Sequence, residues 1–290
     1  MNGRVIRRLD GRYRRLRLPQ RFLVFWACAL LACAQAHSAA ITFNTALPVS
    51  QKELILREQV VVSATAARKQ QNLNTVVGYG VTPKLAVFGV LPIVRVAPVG
   101  ALAAEAETGI ADASVFARYE VFRRDDAGAT FRVAPFVGVR VPSATDNLLG
   151  DGATDALLGV IATSATTKRT VDVQISVELN GEADGVRAGH RSSLDLSLQY
   201  RAWPQTLTRA TKGFVYTVIE SSLTYQERTR SEGLRLPDTG GLQWFLIPGL
   251  QYARQRWIAD LAVKIPVVSN LNGEGFGLDY SVLASVRFNF

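Results

Sequence analysis

Three short stretches of the chain carry residues that could do chemistry. His190 stands before Ser192 and Ser193, with Asp195 beyond, so a base, two hydroxyls and a carboxylate fall within six residues. A hydroxyl becomes a nucleophile only when a base takes its proton and a third group orients that base. The spacing matches no hydrolase motif, and Arg191 with Gly185 and Gly189 places the group in an exposed loop. His190 is therefore expected to be a solvated loop residue, and no catalytic residue is assigned. Gly150-Asp151-Gly152 and Gly181-Glu182-Ala183-Asp184 bring carboxylates to two further loops. Calcium takes six to eight oxygens, and neither loop has an EF-hand pattern, so no metal or cofactor is expected.

A larger set of ionisable side chains is spread along the chain. Arg118, Glu120, Arg132 and Arg140 come first, then Asp172, Glu178, Asp195 and Arg201, and finally Asp260, Lys264, Asp279 and Arg287. Many sit at the polar positions of segments in which apolar and polar residues alternate. Val171, Val173, Ile175, Val177 and Leu179 alternate with Asp172, Gln174, Ser176 and Glu178; Leu194, Leu196, Leu198 and Tyr200 alternate with Asp195, Ser197, Gln199 and Arg201. Period two describes a β-strand with one oily and one wet face. Charges of both signs on the wet faces of many strands suit a hydrated interior. They could select a permeant or pair across strands and stiffen the wall; their order alone favours neither.

Twelve segments can position these residues: 53–66, 73–81, 85–95, 112–123, 130–142, 153–165, 170–180, 191–202, 212–226, 241–253, 256–268 and 277–290. About ten residues tilted near 45° cross the hydrocarbon layer, and no apolar run after residue 40 is long enough for a membrane helix. The expected fold is all-β, a transmembrane antiparallel up-and-down barrel of about 12 strands over residues 53–290. A soluble sandwich or lipocalin-like barrel would point the same apolar faces inward. Connections should be short at the end holding the termini and longer at the other, except for a long 203–211 turn at the first end and a first hairpin with a loop near 67–72 at the second. Tyr119, Tyr200, Trp203, Tyr225, Trp244, Tyr252, Trp257 and Tyr280 fall near strand ends, where an aromatic girdle is expected. Phe288 and Phe290 end the last strand and are expected to form a C-terminal signal for barrel-assembly machinery. Phe245 and Ile247 disturb the alternation of 241–253, and residues 37–52 are expected to be an N-terminal extension, either strap or plug.

The N-terminus indicates export. Eight arginines from Arg4 to Arg21 precede an apolar Phe22–Cys33 run and Ala34-Gln35-Ala36, the layout of a cleaved signal peptide over 1–36. That segment holds eight of the 33 Lys and Arg and one of the 24 Asp and Glu, so the formal charge of +9 falls to +2 after processing. No basic footprint for nucleic acid is left. Both cysteines, Cys28 and Cys33, lie in the same segment, and Leu30-Leu31-Ala32-Cys33 is a loose lipoprotein box.

Tyr79-Gly80-Val81-Thr82-Pro83-Lys84-Leu85 with Leu91-Pro92, Gly109-Ile110-Ala111-Asp112 with Ala117-Arg118-Tyr119, and Pro135 to Pro142 together resemble the outer-membrane family named for a phenol-degradation (meta-cleavage) pathway. Ile110 stands where that family usually has Gly. The resemblance implies an outer-membrane transporter for aromatic or other apolar compounds. The expected role is accordingly a bacterial outer-membrane channel for small hydrophobic or aromatic molecules, without enzymatic activity. Its expected partners are outer-membrane lipid, the assembly machinery and a small-molecule permeant. An outer-membrane lipid hydrolase and a structural barrel without a permeant are the alternatives.

Overall fold

The computed structural model describes residues 38–99, 105–208, 211–273 and 277–290; the expected signal peptide, with Cys28 and Cys33, lies outside the described residues. Twelve strands follow in chain order: β1 Leu54–Thr65, β2 Arg68–Gly80, β3 Leu85–Pro98, a fourth in pieces, β5 Ala129–Arg140, β6 Asp155–Thr166, β7 Arg169–Leu179, β8 Arg191–Trp203, β9 Gly213–Gln226, β10 Gly241–Arg254, β11 Trp257–Leu271 and β12 Leu278–Asn289. The fourth, β4, comprises Glu107–Ile110, Ser114–Tyr119 and Phe122–Asp126.

Each strand pairs antiparallel with its neighbours in sequence, and β1 pairs with β12, which closes the sheet. At the seam the Leu54 amide donates to the Phe290 carbonyl at 3.2 Å and the Phe290 amide returns a bond to Leu54 at 2.8 Å. Closing β1 on β12 removes the two sheet edges that would otherwise face hydrocarbon, where each unsatisfied backbone group costs several kcal/mol. The protein is a transmembrane antiparallel β-barrel.

The two ends differ. At the end where β1 begins and β12 finishes, the connections are 81–84, 127–128, 167–168, 204–212 and 255–256; at the far end they are 66–67, 99–106, 141–154, 180–190, 227–240 and 272–277. The short pieces Val186–Arg187, Arg230–Ser231 and Leu234–Arg235 pair into a small sheet across two far loops.

The first hairpin corrects the expected loop at 67–72. β2 begins at Arg68, so the polar run Arg68–Asn72 is strand, held in register from Arg68 opposite Pro98 to Gly80 opposite Ala86. Alternation fails there because the hairpin rises past the apolar belt, where both faces are wet. The same blurring hides the breaks in β4, whose three pieces pair in turn with β3 and β5.

The oily faces point outward. Ile175, Val137 and Ile219 are 60%, 56% and 54% exposed, while Asp172, Ser197 and Thr163 on the opposite faces are fully buried. A soluble β protein would have the reverse. Each apolar side chain covered by lipid contributes roughly 1.5–3 kcal/mol relative to water, so the outward belt favours insertion. Glu58, on the outer face of β1, accepts a bond from the Thr75 hydroxyl at 2.9 Å.

Candidate functional site

The interior is built around residues 38–49, which run inside the barrel. Ala39, Ala40, Ile41, Ala46, Leu47 and Val49 are all buried. Three apolar seats on the inner wall hold them. Ile41 packs on Val218, Phe245, Ile247 and Ala262; Ala46 on Ala134 and Ile161; Val49 on Ala86 and Phe88. Phe245 and Ile247, which disturb the alternation of their strand, are therefore lumen residues that need an apolar partner. Two glycines make room for the segment. A Cβ on Gly249 would come within 2.8 Å of Ile41 Cδ1, and one on Gly80 within 1.9 Å of the Ser50 carbonyl oxygen.

The segment forms no ladder with the wall, so its backbone groups are satisfied by inward side chains. Glu220 accepts from the Ile41 amide at 2.6 Å, the Thr42 amide at 3.1 Å and the Thr42 hydroxyl at 2.5 Å. Arg57 donates to the Ile41 carbonyl at 2.6 Å, and Gln251 to the Ala39 carbonyl at 2.9 Å. Arg118 donates to the carbonyls of Thr45 and Leu47. The Ala46 amide donates to Thr163 Oγ1 at 2.8 Å, and that hydroxyl donates in turn to Asp172 at 2.5 Å. A buried charge is tolerated only when such bonds replace its hydration, and bonds to ionised groups are the strong ones. The segment thus neutralises the polarity of the lumen as much as the lumen holds the segment.

The other sequence-predicted charges take several kinds of place. Glu120 and Arg132 form an ion pair, with Asp125 a second partner of Arg132 at 3.2 Å. Arg140 bonds Asp155 at 2.5 Å and also reaches Glu178, which Arg191 engages from the other side. Asp195 accepts from Ser222 at 2.6 Å and Gln174 at 3.3 Å. Asp260 accepts from Ser285 at 2.7 Å and Gln251 at 2.8 Å, with Arg57 at 3.6 Å. Arg201 lies 5.8 Å over Phe214, and Lys264 lies 4.1 Å over Phe245. Arg287 stands in register with Arg57 across the seam. Asp279 is exposed at the far end of β12.

Aromatic rings line part of the same interior. Phe88 and Phe116 stack at 4.8 Å, Phe136 meets Phe116 edge-on at 6.2 Å, and Arg118 lies 5.1 Å over Phe88. The eight aromatic residues expected at the strand ends face outward in two groups. Tyr119, Tyr200, Trp203, Tyr252 and Trp257 lie towards the terminal end, while Tyr225, Trp244 and Tyr280 lie towards the far end. Phe288 and Phe290 sit at the seam, 6.3 Å apart.

Glu220, Arg57 and Asp155 are interior residues outside the expected lumen set, and Gln251, on the polar face of the 241–253 segment, joins them. The signal for Glu220 was the alternation of Tyr216, Val218, Glu220 and Ser222, in which apolar and polar residues share one inward face. His190 Nδ1 accepts the Asn180 amide at 3.0 Å, and Ser193 pairs with Thr224 at 3.4 Å. Asp112 instead organises the 141–154 loop, accepting the amides of Ser143, Ala144 and Asp151 at 2.9, 3.0 and 3.3 Å. This tucks Leu149 against Val94, Val96 and Ala111.

No protein-family model matches the chain, and no curated protein matches its sequence. Among solved structures, the COG4313 outer membrane channel from Pseudomonas putida F1 aligns with a TM-score of 0.66 at 14% identity, over 87% of this chain and 100% of that one. The NanC porin aligns with a TM-score of 0.49 at 13% identity, over 81% and 98% of the two chains. The beta domain of the Bordetella autotransporter BrkA aligns at 0.48 and 12% identity, over 82% and 99%. At such identities the likeness to the Pseudomonas channel is one of fold: the chain has the architecture of an outer-membrane barrel.

Proposed function

We propose that the chain is an outer-membrane channel for small molecules, selective for apolar or aromatic ones, and that its N-terminal segment gates the lumen. The observation that carries this reading is the aromatic ladder Phe88–Phe116–Phe136 on the inner wall, continued by the seats of Ile41, Ala46 and Val49. A wide, hydrated pore for polar solutes has no use for stacked rings inside. The ends are read as periplasmic where the termini and shorter turns lie and external where the longer loops lie, following the usual asymmetry of such barrels. The two aromatic groups then mark the lipid interfaces, and Phe288 and Phe290 present the last strand to the assembly machinery. The motif resemblance of residues 79–92, 109–119 and 135–142 supports membership of the meta-cleavage-pathway family.

A lipid hydrolase is disfavoured, because His190, the histidine of the described residues, has its Nδ1 engaged by the Asn180 backbone amide, and the nearby Ser193 is paired with Thr224 instead. Swelling of proteoliposomes tests the proposal. Purified protein should admit benzyl alcohol or phenol faster than an equally small sugar, and release no fatty acid from the vesicle lipid. Equal rates with and without protein for every solute would overturn the channel, and a preference for the sugar would overturn the aromatic selectivity.

A further inference from the structure

We propose that the seat of Ile41 is a ligand site for a small neutral apolar solute, such as a single aromatic ring, which the N-terminal segment occupies at rest and the solute takes by competition. This deepens the channel reading and rests on it. Ile41 is 1% exposed, and its seat is formed by Phe245, Ile247, Val218 and Ala262, with half-buried Tyr216 packed against them. Gly249 leaves the space that the Ile41 methyl fills. The walls to either side are polar, with Glu220 and Gln251 buried nearby. A group that enters this pocket must therefore be apolar and small, and it must expel Ile41.

The hold on Ile41 is of a kind that can be released. From residue 38 to 47 the backbone bonds of the segment among the described residues go to Glu220, Arg57, Gln251, Thr163 and Arg118 side chains, or to Thr45 of the segment itself. The first bond to wall backbone is Lys52 to Gly80 at 2.8 Å. Departure of residues 38–49 thus breaks no rung of the barrel ladder, and lumen water can hydrate the freed side chains. It also uncovers the seats of Ala46 and Val49, which continue the apolar lining. Ligand binding at the Ile41 seat and opening of the lumen are the same event.

Single-channel recording in planar bilayers tests the site, with toluene as apolar probe and sucrose as polar control. A Cys28→Ser, Cys33→Ser background accepts a lock at Thr45→Cys with Thr163→Cys, whose hydroxyl oxygens lie 3.1 Å apart. Toluene should raise the open probability of the unlocked protein several-fold, sucrose should not, and oxidation of the lock should abolish the response until dithiothreitol restores it. Ile41→Asn should open the lumen without toluene. If Ile41→Asn conducts but toluene leaves the unlocked protein unchanged, the seat takes no ligand and the proposal fails while the channel stands. If toluene acts equally on the oxidised lock, its effect comes through the bilayer and the proposal also fails. If no variant conducts, both readings fall.

Discussion

At the scale of single residues, the interior charges are clamps as well as lining. Glu220 shows why this is hard to read from order alone. Its face of β9 carries Tyr216 and Val218 beside it, which looks like a failed alternation until the segment that both kinds of side chain serve is in view. Arg118 shares its inward face with Phe116 and Glu120, and its partners, the Thr45 and Leu47 carbonyls, lie more than seventy positions away. Sequence periodicity reports the face of a side chain, whereas its partner depends on tertiary contact. A bond to a charged acceptor contributes about 1.5–3 kcal/mol, so Glu220→Gln should speed amide exchange at Ile41 and Thr42 roughly ten- to a hundredfold. Exchange at Ala46, held by Thr163, should change far less. Hydrogen-exchange mass spectrometry or NMR in micelles reads both sites, and unchanged protection at Ile41 would mean that Glu220 does not hold the segment.

At the scale of elements, strands were legible wherever one face meets lipid and the other water, because that boundary imposes period two. β5 to β12 lie within a few residues of the sequence expectation, apart from β11, which runs on to Leu271. Legibility fails where both environments are wet, as along Arg68–Asn72, or where chain folds back onto the wall, as at the gap in β4 around Ala111–Ala113. The second case is an anchored loop. Asp112 accepts three amides from residues 143–151, and the Ser143 hydroxyl accepts the Ala113 amide at 2.8 Å. Removing the carboxylate leaves those amides without their acceptor, at about 1–3 kcal/mol for each one that stays buried. Asp112→Ala should therefore release the 141–154 loop to proteinase K while the barrel keeps its heat-modifiable gel migration. Resistance of the loop equal to that of the parent protein would show that Leu149, not Asp112, anchors it.

At the scale of the whole molecule, the arrangement is inside-out relative to a soluble protein, and adjacent residues of one strand can be made to report it. Ile175, at the middle of β7, is 60% exposed and faces outward, while Ser176 beside it is half-buried on the inner face. In bulk water the two positions would respond alike to a charge. In a bilayer, arginine at the midplane on the lipid face costs about 2–4 kcal/mol, whereas a lumen position is hydrated and offers Glu178 two residues away on the same face. Ile175→Arg should therefore lower the stability measured by guanidinium titration in lipid vesicles by that amount, and Ser176→Arg by much less. The contrast should vanish for outward positions moved to either aromatic group, because the cost falls to about 0–1 kcal/mol near the interfaces. Equal penalties at Ile175 and Ser176 would mean that lipid does not cover the outer face, and the closed seam between Leu54 and Phe290 would then need another explanation than the exclusion of unpaired edges from hydrocarbon.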